Sequence, residues 1–331
     1  MADLKTKYMG LELRSPIIAG SCGLTSNVEK MVEMEKAGAG AVVLKSIFEE
    51  QINEETSGVF KAGYGMGDAY PEAEDYIKAY IRSNTIQKYV ELVRNAKSRL
   101  TIPVIASVNC FGGGEWVSFA RQLEEAGADA LELNVFILPV NEFKESAEVE
   151  NVYFEIVKSI KSQIKIPVSV KISHYFTNLS AFVDKIKAYG ANATTLFNRF
   201  YEPDININTL EMGAASVFST AAELRTTLRW TGILAGKDKR LEISASTGVH
   251  GGEAVVKLLL AGATTVQVCS VLYEKGIHVI EDMNNFIKRW MDSKAFKTIE
   301  DYRGMLSYSS IENPDLYERA QFMKYFSNNQ Y

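Results

Sequence analysis

Leu258-Leu259-Leu260-Ala261-Gly262-Ala263-Thr264-Thr265-Val266-Gln267-Val268-Cys269-Ser270 passes from an apolar helix-like run, through Gly-Ala, into a strand-like run that ends in polar groups. The same joint appears at Ala37-Gly38-Ala39-Gly40, Ala126-Gly127-Ala128-Asp129 and Tyr189-Gly190-Ala191-Asn192. The strands that follow close on Lys45-Ser46, Asn134 and Asn198. Glycine suits the left-handed residue just past a helix, and a short continuous apolar run suits a strand covered on both faces. Helix, glycine and buried strand in that order describe parallel βα units. Polar residues gathered at strand carboxyl ends mark the face where such folds place an active site.

Working outward, eight strand candidates can be placed: Pro16–Ala19, Ala41–Ser46, Pro103–Asn109, Ala130–Asn134, Pro167–Ile172, Ala193–Asn198, Leu241–Ser246 and Thr264–Ser270. Amphipathic helical patterns separate them. In Glu115–Ala126, Trp116, Phe119, Ala120 and Leu123 share one face, while Arg121, Glu124 and Glu125 share the other. Eight strands fit a closed (β/α)8 barrel better than an open sheet. With no composition break, residues 1–331 are expected to form one domain, with the barrel over about 8–306 and a tail over 307–331. Two connections exceed what a loop and helix need, one after strand 2 (Ile47 to Ile102) and one after strand 6 (Arg199 to Arg240). Long loops at strand carboxyl ends commonly build lids and pockets, although packing or subunit contacts would use them equally.

A net charge of −5 argues against nucleic acid or an anionic membrane surface as partner. Three widely spaced cysteines form neither a disulfide framework nor a zinc pattern. The start shows no signal-peptide core and no stretch reaches transmembrane length, so a soluble, cytoplasmic protein is expected. Lys45 and Lys171 end runs that otherwise read as buried strand. A lysine there is costly without an anion or polar partner. With Asn134 and Asn198 they would converge on one mouth, where amides can recognise a flat heterocycle and lysines can stabilise negative charge on it. Ser244-Ala245-Ser246-Thr247-Gly248-Val249, followed by Gly251-Gly252-Glu253, and Cys269-Ser270 fall after strands seven and eight, a common phosphate site in these barrels.

In order and spacing, Ser15-Pro16-Ile17-Ile18-Ala19-Gly20-Ser21, Val43-Leu44-Lys45-Ser46, Glu132-Leu133-Asn134, Val170-Lys171-Ile172, Phe197-Asn198, Thr247-Gly248-Val249 and Ile299-Glu300-Asp301-Tyr302-Arg303-Gly304 resemble the dihydroorotate dehydrogenase family of FMN-dependent barrels. The resemblance runs from about Tyr8 to Leu306, and Ile105–Asn134 also resembles the corresponding barrel of dihydropyrimidine dehydrogenase. It implies one non-covalent FMN, with Ala19, Gly20, Ser21 and Ser46 against it. Lys45 would reach flavin and substrate, Lys171 the flavin N1/O2 edge, and Asn134 and Asn198 a pyrimidine-like substrate. Thr247, Gly248, Val249, Cys269 and Ser270 would hold the phosphate. The implied reaction is hydride transfer between a dihydropyrimidine, dihydroorotate by resemblance, and flavin N5, as in pyrimidine biosynthesis. No metal is implied. The absence of an N-terminal helical extension before Pro16 points to a soluble electron acceptor. Soluble relatives are commonly homodimers, and the aromatic tail (Tyr308, Tyr317, Phe322, Tyr325, Phe326) would serve either a subunit contact or its own barrel wall.

Two positions depart from the pattern. The family usually has glycine where Cys269 stands. The family's catalytic base, Cys or Ser after the strand-four asparagine, is matched here by Ile137, which cannot accept a proton. His174 and Cys110 are the nearest titratable replacements by sequence. His174 can titrate near neutrality, with Ser173 or Tyr175 as relays, but a histidine at a strand end also serves as a structural hydrogen-bonder, and Cys110 reads as an inert buried thiol. His250, beside the proposed phosphate loop, is expected to cap or contact the phosphate, and His278 to be structural. The alternatives are a flavin barrel reducing a different C=C bond, an FMN-binding subunit without turnover, and a flavin-free barrel that binds a sugar phosphate.

Overall fold

Gly38, Gly127, Gly190 and Gly262 all take left-handed backbone conformations, with φ of 97°, 96°, 111° and 116°. Each joint between helix and strand is therefore closed by the residue that adopts this geometry most readily. The computed structural model describes residues 2–48, 71–109, 114–199 and 202–318. Eight parallel strands follow one another around a closed barrel: β1 (Ile17–Ala19), β2 (Ala41–Val43), β3 (Val104–Asn109), β4 (Ala130–Asn134), β5 (Val168–Ile172), β6 (Ala193–Leu196), β7 (Glu242–Ala245) and β8 (Thr265–Val268). Each strand pairs with the next, and β8 pairs with β1. The (β/α)8 reading of the sequence is the fold.

The wall helices are α1 (Val28–Lys36), α2 (Pro71–Arg99), α3 (Gly114–Glu125), α4 (Ser146–Lys161), α5 (Leu179–Ala188), α6 (Leu224–Lys237), α7 (Gly252–Ala261) and α8 (Val279–Ser293). Phe119, Ala120 and Leu123 of α3 are buried and Arg121 is exposed, as the helical spacing requires. Alternation along the strands sorts the core into two clusters. Ile17, Ala19, Val42, Val104, Leu131 and Val168 face the helices. Ile18, Ala41, Val43, Ile105, Ala130 and Ala193 pack inside the barrel, where Tyr8, Met9 and Leu13 of an N-terminal hairpin (Thr6–Tyr8 with Leu11–Leu13) close the floor. Higher up, the same inward parity brings Ser107, Asn109, Glu132, Asn134, Ser169, Lys171, Thr195 and Gln267, all buried. The barrel interior is thus apolar at the amino end and polar at the carboxyl end.

Several strands stop earlier than the sequence suggests. β2 ends at Val43 rather than Ser46, β6 at Leu196 rather than Asn198, β7 at Ala245 rather than Ser246, and β8 at Val268 rather than Ser270. The trailing residues leave the ladder to make other contacts. The Ser46 N–H donates to Ser21 Oγ (2.9 Å), and Ser270 opens a short helix, Ser270–Lys275. The connection after strand 2 contains α2, 29 residues long. The connection after strand 6 carries an exposed antiparallel hairpin, Pro203–Asn206 with Glu211–Ala214, where no strand was expected. The tail's Tyr308 and Tyr317 pack on α6. The Tyr308 N–H donates to Gly232 O (2.9 Å), and a Cβ at Gly232 would meet the Tyr317 ring at 2.2 Å. Cys110, the glycine-rich stretch 62–67, Phe322, Tyr325 and Phe326 lie outside the described residues. Among the described residues, no helix is long and apolar enough to cross a membrane.

Candidate active site at the barrel mouth

One cleft at the strand carboxyl ends is lined by Ser21, Lys171, Phe197, Asn198, Arg199, Val217, Ser219, Ser246, Thr247, Gly248, Val249, Gln267, Cys269 and Ser270. Its floor is charged. Glu132, 1% exposed, accepts hydrogen bonds at Oε2 from Thr195 Oγ1 (2.9 Å) and Gln267 Nε2 (2.7 Å). Its Oε1 lies 3.7 Å from Lys171 Nζ, and the lysine side chain is itself buried. Glu132 Oε1 and Gln267 Oε1 make no hydrogen bond among the described residues. A carboxylate and an ammonium buried together cost less than either alone. The arrangement holds Lys171 facing the cleft with its counter-charge beneath it.

Beside this floor, Asn198 Nδ2 donates to Asn134 Oδ1 (2.7 Å), so the two strand-end amides form one unit. Ser46 Oγ shares hydrogen bonds with Ser21 Oγ (3.0 Å) and Ser107 Oγ (2.7 Å), which ties the ends of β1, β2 and β3 together. Lys45 is half-buried, and its ammonium makes no ion pair among the described residues. Ala19, Gly20, Lys45, Ser46 and Asn134, expected at the same site, are not among the residues that line the cleft. Gly20 is required by crowding: a Cβ there would stand 2.6 Å from Cys269 Sγ.

The opposite end is built by the loops after β7 and β8. Thr247 and Gly248 both have positive φ, 79° and 78°. A Cβ at Gly248 would lie 2.2 Å from Leu224 N, backbone that cannot yield, so only glycine fits against the start of α6. Thr247 Oγ1 donates to Phe197 O (3.1 Å), and Ser219 N donates to Ser270 Oγ (2.9 Å). The N–H groups of Val249 and Ser270 meet no acceptor among the described residues. Hydroxyls and unpaired N–H groups collected at one end of a cleft suit an anion.

Ile137 lies elsewhere. Its N–H donates to Tyr153 Oη (3.3 Å), and it lines a separate cleft with Tyr153, Tyr175 and Phe176. Tyr153 is locked edge-on against Phe182, with ring centroids 5.2 Å apart, so the loop after β4 is anchored to the barrel wall by aromatic packing. His174 lines a neighbouring cleft that shares Phe197, Asn198, Arg199 and Thr247 with the first. Burial pushes its imidazole below the ordinary histidine range, against the opposing charge of Glu202. His174 is therefore neutral at pH 7 and can accept a proton. His278 is exposed at the start of α8.

Cys22 and Cys269, far apart in sequence, meet here. Cys269 Sγ lies 3.7 Å from Ser21 O, and the Cys269 thiol can offer its one hydrogen to the Cys22 sulfur instead. That bond, helped by the Thr25 and Leu24 N–H groups, brings Cys22 down to about 6 against the opposing effect of burial, whereas Cys269 is raised. The thiolate is the reactive form. Iodoacetamide should therefore modify Cys22 at a rate that has levelled off by about pH 8, while Cys269 still reacts slowly. Peptide mass mapping across pH checks this, and preferential labelling of Cys269 would refute it.

Sequence reasoning missed Arg199, Ser219, Glu132 and Gln267. Glu132 and Gln267 carried a legible signal, a polar side chain in the middle of an apolar strand. Ser219 carried none, since the long connection after β6 brings it to the cleft only through the tertiary fold. Arg199 donates from Nε to Glu223 (3.0 Å) and from Nη1 to Val217 O (3.0 Å), bracing that connection.

Comparison with known proteins gives a consistent answer. The family model for dihydroorotate dehydrogenase matches residues 3–291. A dihydroorotate dehydrogenase B (NAD(+)) catalytic subunit from Thermoplasma acidophilum is 30% identical, covering 92% of this chain and 99% of the relative. The protein of the same name from Thermoplasma volcanium is 28% identical, covering 92% and 99%. That from Pyrococcus furiosus is 26% identical, covering 92% and 98%.

Proposed function

The chain belongs to the dihydroorotate dehydrogenase family and is an oxidoreductase acting on CH–CH groups; from that premise we propose that it binds FMN in the mouth cleft and oxidises or reduces a dihydropyrimidine there. The family is flavin-dependent, and the residues present suit a flavin that carries a phosphate. The single observation that carries the reading is the crowded Gly248 turn beside the unpaired N–H groups of Val249 and Ser270, with Ser219, Thr247 and Ser270 hydroxyls around it. These would hold the phosphate, and Cys269, Gly20 and Ser21 would flank the remainder. When bound, FMN supplies the two-electron chemistry that the side chains lack.

The protein's own contribution is orientation and charge. Lys171 over Glu132 presents a positive group to negative charge developing above it. The Asn134–Asn198 pair offers both donor and acceptor edges to a flat pyrimidine, and Lys45 remains available to an anionic substituent. Ile137 favours a substrate related to dihydroorotate over dihydroorotate itself. For such a substrate His174, which lines the neighbouring cleft, is the candidate to hold the proton. The relatives' name points to a soluble acceptor such as NAD(+), reached through a partner, with this chain as the substrate-side subunit. Residues 1–331 are taken as one FMN-binding domain that forms a homodimer in the cytoplasm. Light scattering at micromolar concentration giving the mass of one chain would remove the dimer.

Turnover settles the substrate. Anaerobic bleaching of the bound flavin by a panel of dihydropyrimidines and enones should single out dihydropyrimidines; bleaching by enones or their saturated forms alone would move the protein to a different C=C substrate. The rate should also fall as pH drops through the lowered range of His174 and stay flat above it, because only the neutral ring accepts a proton. A rate that stays unchanged at acid pH for as long as the protein remains folded would remove His174 from the reaction.

A further inference from the structure

Beside the anion end of the cleft lies a histidine–carboxylate couple that the reading above leaves unused. His250, on the loop between β7 and α7, has its Nδ1 3.1 Å from a Glu274 carboxylate oxygen and its Nε2 3.3 Å from Ser219 Oγ. Glu274 belongs to the short helix that Ser270 opens. Ser219 Oγ in turn lies 3.2 Å from Ser270 Oγ and 3.4 Å from the Gly248 N–H. A single hydroxyl oxygen is therefore surrounded by the Gly248 N–H, the Ser270 hydroxyl and an imidazole nitrogen. A phosphate oxygen would use that same set.

The two cations that line the cleft, Lys171 and Arg199, are engaged with other groups. Lys171 faces Glu132 at the floor, and Arg199 spends Nε on Glu223 and Nη1 on Val217 O. Lys275, on the short helix, donates to the His250 carbonyl oxygen (2.9 Å) and so fixes the backbone under the ring. On α7 the nearby Glu253 is paired with Lys257. Hydroxyls and backbone N–H groups orient a phosphate but leave its charge uncompensated. A histidine ring that bridges a carboxylate and a phosphate must donate from both nitrogens, and a ring that does so is an imidazolium. Glu274 sets the ring's orientation.

Resting on the flavin reading, we propose that His250, braced by Glu274, is the cation that binds the ligand's phosphomonoester and selects it over the same ligand without phosphate. It is a binding residue, and Glu274 is its positioning residue. The inference concerns this chain's own side chains: the loop glycine and hydroxyls would serve any phosphate, whereas the His250–Glu274 couple determines how strongly the phosphate counts.

The test is a titration of flavin-stripped full-length protein with FMN and, separately, riboflavin, followed by fluorescence quenching. In His250→Gln, FMN affinity should fall about 10- to 100-fold, the weight of one hydrogen bond to a charged group, while riboflavin affinity stays unchanged. Glu274→Gln, an exposed substitution that leaves the ring in place, should weaken FMN alone and by less. The salt dependence of FMN binding should flatten in His250→Gln, as loss of one charge requires. Equal weakening of both flavins would make His250 a structural brace, and unchanged FMN affinity would remove it from the site; either outcome overturns the inference while the flavin reading stands. Wild-type protein that binds neither flavin overturns both.

Discussion

Dihydroorotate should reduce the bound flavin of this protein slowly, roughly 10²- to 10⁴-fold below an ordinary enzyme turnover of about 10 s⁻¹, because general-base catalysis contributes about that factor. By the sequence resemblance Ile137 stands at the family's base position, and its backbone N–H is tied to Tyr153 Oη at 3.3 Å. The loop is thus anchored by the Tyr153–Phe182 packing, independently of the side chain at 137. Ile137→Cys should place a thiol where the family has one and raise the rate toward the ordinary range. Anaerobic stopped-flow bleaching checks both proteins. Wild-type reduction near 10 s⁻¹ would mean that another group takes the proton, and His174→Ala would then be the variant to compare.

Glu132→Ala should destabilise the barrel by about 3–5 kcal/mol, the usual consequence of leaving one member of a buried ion pair without its partner. The substitution strands the Lys171 ammonium and also removes the acceptor used by Thr195 Oγ1 and Gln267 Nε2. Glu132→Gln should cost less, since an amide oxygen still accepts from Thr195 and Gln267. Urea unfolding of the flavin-stripped proteins measures the difference. A loss below about 1 kcal/mol for Glu132→Ala would show that Lys171 finds water or another partner, and that the floor charge is not built as described.

The barrel was legible because its determinants are local. Four glycines had to be left-handed, and they are. Strand runs alternate between a helix-facing set and a barrel-facing set, and polar residues at the strand carboxyl ends mark the candidate active end in the sequence itself. Lys171, Asn198, Thr247, Gly248, Val249, Cys269, Ser270 and Ser21 were singled out from sequence, and one cleft collects them. The strand ends were misjudged because Ser46 and Ser270 exchange ladder hydrogen bonds for contacts with Ser21 and Ser219, which sequence spacing does not encode. The hairpin 203–214 was missed for a related reason. Its residues are exposed, so no alternation of buried and exposed side chains betrays it.

The remaining illegible features are pairings across long separations. Cys22 with Cys269 and Ser219 with His250 are joined only by closure of the barrel, β8 against β1 and the post-β6 connection against the post-β7 loop. No periodicity reports such contacts. Ile137 was recognisable as a departure only through the resemblance, because by itself an isoleucine after a strand is unremarkable.

The most direct measurement is the identity and stoichiometry of the cofactor released by acid from the purified protein. A yellow preparation yielding one FMN per chain is the predicted result. A folded but colourless protein, or release of FAD instead, would contradict the assignment of the mouth cleft to a flavin whose phosphate ends at Thr247, Gly248, Val249 and Ser270.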